Sequence, residues 1–160
     1  MDHRPIGVFD SGLGGLTAVR ELMQLLPRED IIYFGDTARV PYGVRSPETI
    51  LKFARQDMNF LCSYDLKAVV IACGTVSTTS LSTLRREYHL PIIGVVEPTA
   101  AQAARVTRSG RIGLIATAAS IRSGAYEKRI AARRPGATVY GKACPLFVPL
   151  VENGRFQMGD

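Results

Sequence analysis

Short apolar segments alternate with amphipathic helical segments along almost the whole chain, and this alternation restricts the fold more than any other feature. Runs rich in Ile, Val, Leu and Phe predict six strands, at 6–10, 30–36, 68–73, 92–96, 111–117 and 137–143. Helical periodicity and capping residues predict helices between them, at 16–26, 46–64, 77–88, from Pro98 onward, and at 123–134. This order predicts an α/β fold, with a mostly parallel sheet and helices on both faces.

The composition shifts to Ala and Arg near Glu97 and Pro98. We therefore expect a first α/β unit at 1–97 and a second, incomplete unit at 98–160. The last segment, 146–160, is expected to complete neither a helix nor a strand. The sequence thus predicts the first part of a longer protein.

Charge and cysteine content exclude several classes of function. The formal charge of +6 comes largely from arginines after position 104, without the interleaved aromatic residues of a nucleic-acid surface. No apolar run reaches the ~20 residues of a membrane span, and no signal peptide precedes the first strand. Three cysteines without CxxC pairing and two distant histidines favour reduced thiols and no metal site. We expect a soluble cytoplasmic protein that binds neither nucleic acid nor membrane.

Polar residues follow the predicted strands at their carboxyl ends, where parallel α/β sheets bind ligands. They are Asp10, Ser11, Gly12, Gly35, Asp36, Cys73, Gly74, Thr75, Glu97 and Thr117. The sequence therefore predicts a small-molecule site at this edge.

Cys73 is the chemically distinctive residue of this set, because it ends a buried strand and precedes a helix. The partial positive charge of a helix N-terminus lowers a thiol pKa, so the position predicts a reactive thiolate. The alternative is a buried cysteine that only packs. Cys62 and Cys144 are predicted to be structural.

Two turns accompany this thiol in the prediction. The turn "DSGLGGL" places Asp10 beside glycines that permit close approach of a ligand, but it is neither a dinucleotide fingerprint nor a Walker loop. Asp10 could accept a proton, orient the thiol, or cap the following helix. The corner at Pro41, Tyr42 and Gly43 could hold a carboxylate through backbone N–H groups, or serve only as a turn.

An ordered set of motifs covers essentially the whole chain: GVFDSGLGGLTAVREL, YFGDTARVPYG, VVIACGT, PIIGVVEP and CPLFVPLVENG. The set resembles the glutamate racemases. The resemblance implies one lobe and part of a second lobe of a two-lobed enzyme. It also implies cofactor-independent interconversion of L- and D-glutamate for peptidoglycan, and a possible homodimer. Two cysteines, one on each side of the substrate, would act as base and acid.

The same resemblance implies roles for individual residues. Cys73 would be the first of the two thiols, and Asp10 the carboxylate that assists it. The positions implied to contact the substrate are Asp10, Ser11, Pro41, Tyr42, Gly43, Gly74, Thr75, Thr117 and Ser120.

Two departures from the family pattern leave other functions open. The family has Cys-Asn-Thr where this chain has Cys73-Gly74-Thr75, and a lost hydrogen bond to a charged group costs about 1.5–3 kcal/mol. The family's second catalytic segment, Cys-Thr-His, is absent from the 160 residues, so we expect the isolated chain to be inactive. One alternative is a non-catalytic α/β module that binds an amino acid or a partner protein; another is an aspartate racemase.

Overall fold

A four-stranded parallel sheet forms the centre of the first part of the chain. The structure is a computed structural model and describes residues 2–155. The strands are β1 (Ile6–Asp10), β2 (Ile31–Gly35), β3 (Ala68–Ile71) and β4 (Ile92–Gly94), in the spatial order β2-β1-β3-β4. Each neighbouring pair is parallel. This arrangement confirms the predicted α/β class.

Helices connect these strands and continue into a second sheet, which is two-stranded. They are α1 (Leu16–Leu25), α2 (Pro47–Leu61), α3 (Gly74–Thr79), α4 (Leu81–Glu87), α5 (Val96–Val106), α6 (Ala118–Ser123), α7 (Ala125–Arg133) and α8 (Phe147–Glu152). The second sheet pairs β5 (Arg111–Ala116) in parallel with β6 (Thr138–Ala143). The boundary expected at 97/98 falls in the first turn of α5, and the division into domains stays a prediction.

The main hydrophobic core lies between the first sheet and helices α2 to α4. All five residues of β1 are buried, and Met58 and Leu61 of α2 join Val69 and Ile71 of β3 in one cluster. Ser46 caps α2 as predicted, since its side chain accepts a hydrogen bond from the backbone N–H of Thr49 at 3.3 Å.

The opposite face of the first sheet meets the start of α1. A Cβ added at Gly15 would lie 2.6 Å from the Cβ of Asp10 and 3.1 Å from both Tyr33 on β2 and Ala72, so this close approach favours glycine. Helices therefore flank both faces, as predicted. The apolar side of α1 nevertheless remains accessible, and Met23 is 61% exposed. No helix between residues 2 and 155 combines the length and hydropathy that crossing a membrane requires.

Three helix predictions were wrong in their bounds. The helix expected from Pro98 onward begins at Val96. The helix expected at 77–88 begins at Gly74 and breaks at Ser80. The hydroxyls of Thr78 and Thr79 both donate to the carbonyl of Thr75, and such bonds compete with the helical ladder. The helix expected at 123–134 starts after Gly124, whose φ of +62° separates α6 from α7.

The segment at 146–160 contains a helix that the sequence analysis did not predict. Helix α8 spans Phe147–Glu152, with Pro149 in its first turn. Proline is tolerated there because the N–H groups of a first turn have no intrahelical partner. Residues 156–160 of that prediction lie outside the described part of the chain.

Candidate active site

The carboxyl ends of both sheets face one cavity of about 430 Å³. Seven of the ten predicted site residues line it: Asp10, Ser11, Cys73, Gly74, Thr75, Thr117 and Ser120. Their positions follow from the parallel topology, which brings the ends of successive strands to the same edge. Pro41, Tyr42 and Gly43 are not among the lining residues.

The Cys73 thiol lies at the junction of β3 and α3, facing the first turn of the chain. Its sulfur donates a hydrogen bond to the Ser11 hydroxyl at 3.4 Å. The residue is only 3% exposed, yet it lines the cavity together with Asp10. The sulfur therefore faces polar groups at the strand ends and is not enclosed by aliphatic side chains alone.

Asp10 ends β1 and organises the turn into α1. Its Oδ2 accepts hydrogen bonds from the backbone N–H groups of Gly12 and Gly15, each at 3.1 Å. The carboxylate therefore holds the turn together, while the first turn of α1 itself receives no side-chain capping hydrogen bond. The side chain also lines the cavity, so its charge acts on the thiol as well.

The expected acidity of Cys73 was wrong. Burial, and to a smaller extent the negative charge of Asp10, raise the pKa of the Cys73 thiol to about 11, against smaller opposing effects of hydrogen bonds with Ser11 and Val76. Helix α3 is only six residues long. The partial positive charge at its N-terminus is therefore too small to offset the effects of burial and of the adjacent Asp10 carboxylate on the thiol pKa.

This reversal predicts slow alkylation of Cys73. At pH 8 its reaction with iodoacetamide is expected to be at least about tenfold slower than that of a free thiol of pKa ~8.5, because few sulfurs are ionised. The rate should keep rising as the pH approaches 11. Peptide mass spectrometry gives the rate at each pH.

Asp10→Asn supplies the matched variant for this profile. Removing the charge lowers the Cys73 pKa, so the midpoint should move to lower pH while the capping geometry stays available to the amide. A midpoint near 8.5 in the unmodified protein would contradict the raised pKa. Slow access alone cannot imitate the predicted result, because it lowers the rate without moving the midpoint.

A chain of hydroxyl groups joins the two sheets across the cavity. Thr75 on α3 and Thr117 at the end of β5 lie with their Oγ1 atoms 3.0 Å apart. Thr117 Oγ1 also donates to Ser120 Oγ at 3.1 Å and accepts from the Ser120 backbone N–H at 3.3 Å, which caps α6. These groups form a polar wall that can donate hydrogen bonds to an anionic ligand.

The Pro41 corner stands behind this wall and does not open into the cavity. Tyr42 is 1% exposed, and its hydroxyl is shared between the carboxylates of Asp36 and Asp57, the latter at 2.9 Å. Any contact of Tyr42 with a ligand would therefore use its backbone. Arg39 bridges the same two carboxylates, at 2.5 and 2.9 Å. This buried network fixes the corner against the rest of the fold.

Among the lining residues that were not predicted as site residues, three carry an ionisable side chain. Tyr126 on α7 and Glu152 on α8 reach the cavity, as does Cys144, which the sequence analysis treated as structural. Glu152 Oε1 accepts a hydrogen bond from the Leu13 backbone N–H at 2.9 Å. The quoted segment CPLFVPLVENG contained two of these residues, but only the fold brings them to the thiol.

A parallel α/β protein whose strand ends hold a buried thiol, a capping carboxylate and a hydroxyl wall belongs to the class with a small-molecule site at the sheet edge. Comparison with known proteins narrows this class. The Asp/Glu/Hydantoin racemase family matches residues 6–152. The chain belongs to that family.

Individual relatives agree with this assignment. The glutamate racemase of Geobacter metallireducens is 51% identical over 96% of this chain and 57% of its own length. A crystal structure of glutamate racemase from Bacillus anthracis superposes with a TM-score of 0.91 at 42% identity, covering 96% of this chain and 57% of that one. One from Francisella tularensis, in complex with D-glutamate, superposes at 0.88 with 46% identity, covering 99% and 60%. The chain thus spans somewhat under two thirds of these relatives.

Proposed function

We propose that the protein carrying this chain is a glutamate racemase, an isomerase that interconverts L- and D-glutamate without a cofactor. The observation that carries the proposal is the Cys73 thiol, placed beside Ser11 and Asp10 in a cavity at the strand ends. Support comes from the 51% identical relative of that name and from the similar structure in complex with D-glutamate.

In this proposal Cys73 exchanges a proton with the α-carbon of glutamate. The α-proton is a very weak acid, so its removal needs a strong base in a site with little water. A thiol pKa of about 11 means that the sulfur holds its proton at neutral pH and forms a strong base when it loses it. The Thr75 and Thr117 hydroxyls would donate to a carboxylate as it gains charge.

Inversion also needs an acid–base group on the opposite face of the substrate. The resemblance assigns that role to a Cys-Thr-His segment, which these 160 residues do not contain. We therefore expect the 160 residues alone to give no measurable racemisation. The remaining parts of the proposal are cellular: a cytoplasmic location, a homodimer, and D-glutamate supplied for peptidoglycan and cell shape.

Chirally resolved chromatography of the products tests the activity and its substrate. The purified protein that carries this chain is expected to convert L-glutamate to D-glutamate and the reverse, without added metal or pyridoxal phosphate. L-aspartate lacks one methylene and should react about 10- to 200-fold more slowly in kcat/KM. Equal turnover of aspartate would contradict the assignment to glutamate, and binding without turnover would favour a non-catalytic amino-acid-binding module.

A further inference from the structure

Tyr126 places a hydroxyl on the wall of the cavity, without a hydrogen-bond partner among residues 2–155. The residue lies in the first turn of α7, is 8% exposed, and packs its ring in the second hydrophobic cluster with Val96, Ala100 and Ile130. Its side chain lines the same cavity as Cys73. No hydrogen bond to the hydroxyl forms within residues 2–155.

Gly74 leaves an open space directly in front of that hydroxyl. A Cβ added at Gly74 would meet one atom within 4 Å, the Tyr126 oxygen at 3.8 Å. Backbone and hydroxyl therefore border a gap large enough for polar atoms of a ligand. Both residues line the cavity, so the gap opens into the space beside the thiol.

Packing alone does not account for the oxygen atom. A phenylalanine would fill the same cluster, so packing does not require the hydroxyl, and its oxygen faces the open cavity rather than the core. Burial raises the pKa of Tyr126, and the neighbouring Cys73 raises it further, so the hydroxyl keeps its proton at neutral pH. It is therefore available as a hydrogen-bond donor to an anion.

We propose that the Tyr126 hydroxyl donates a hydrogen bond to a carboxylate of the bound amino acid, in the gap that Gly74 leaves open. The inference rests on the proposed function, whose substrate carries two carboxylates. Under this proposal Tyr126 is a substrate-binding residue, and the absence of a side chain at Gly74 contributes to ligand specificity.

Protection of Cys73 from alkylation measures this contact without relying on turnover. Iodoacetamide labelling at pH 9 is followed at increasing concentrations of L-glutamate, D-glutamate and L-aspartate, in the protein that carries this chain. Tyr126→Phe is expected to raise the glutamate concentration for half-protection about tenfold. The melting temperature should stay within about 2 °C, because the lost hydroxyl has no partner in the protein.

Two further variants complete the design. Gly74→Ala adds a methyl group that the fold accommodates but that occupies the gap, and it should weaken protection at least about threefold. Tyr140→Phe is the matched control on the exposed side of β6, and it should change neither protection nor stability.

The outcomes separate the inference from the proposed function. Unchanged protection in Tyr126→Phe, beside normal protection in the unsubstituted protein, overturns the inference alone. A drop in melting temperature with unchanged protection assigns the hydroxyl a structural role and also overturns it. If none of the three amino acids protects Cys73 in the unsubstituted protein, both the inference and the proposed function are overturned.

Discussion

Replacing Cys73 by alanine is expected to lower the kcat for glutamate racemisation by about 10²–10⁴-fold, the range that a positioned acid–base group contributes. The loss should appear in both directions, since the thiol is the base for one enantiomer and the acid for the other. The KM should change far less, because the Thr75 and Thr117 hydroxyls remain in place. Steady-state kinetics with each enantiomer gives both constants.

Cys62→Ala is the matched control for this substitution. Cys62 follows the last residue of α2, is exposed, and does not line the cavity of the candidate site. Its replacement should leave the kinetics unchanged, while near-ultraviolet circular dichroism checks the fold of both variants. Equal activity of the two variants would exclude Cys73 as the acid–base residue.

Substitution of Gly43 by alanine is expected to displace Thr117, one of the hydroxyl-bearing residues that line the cavity. An added Cβ would overlap the Thr117 side chain, approaching its Oγ1 to 2.8 Å. The corner cannot retreat, because the neighbouring Tyr42 hydroxyl is held by Asp36 and Asp57. Thr117 must therefore move, and its bonds to the other cavity hydroxyls are lost.

The expected result for Gly43→Ala is a fall in kcat/KM of about 100-fold and a loss of about 1–3 kcal/mol in the free energy of unfolding. Kinetics and urea denaturation measure the two effects. Gly113→Ala on β5 is the control, because a Cβ there meets nothing within 4 Å. If both alanine variants have the same kcat/KM and the same free energy of unfolding, the close approach of Gly43 to Thr117 does not contribute to activity.

Local sequence signals predicted the frame of this fold well. The N-cap at Ser46 and the β-branched residues of β3 depend only on residues close to them in the sequence. Such local signals can be identified from the sequence alone. The division of one predicted helix at Ser80 depends on hydroxyls that bond back to the Thr75 carbonyl. That choice between side-chain and ladder hydrogen bonds is decided by the packed structure, and periodicity does not reveal it.

The candidate site was predictable only where topology fixes it. The ends of β1 and β3 had to meet in a parallel sheet, which brings Asp10 to the same edge as Cys73. The pKa of the thiol depends on how deeply Cys73 is buried and on how close the Asp10 carboxylate lies. The sequence alone determines neither. Tyr126 reaches the cavity from α7, far along the chain, so no local pattern marks it.

Exchange of the α-proton with solvent tests the central claim most directly. The protein that carries this chain is incubated with L-glutamate in D₂O, and mass spectrometry follows the gain of one deuterium at the α-carbon. We predict incorporation by the unsubstituted protein and none above background by the Cys73→Ala variant. Undiminished deuterium incorporation by Cys73→Ala would contradict the assignment of proton transfer to this thiol.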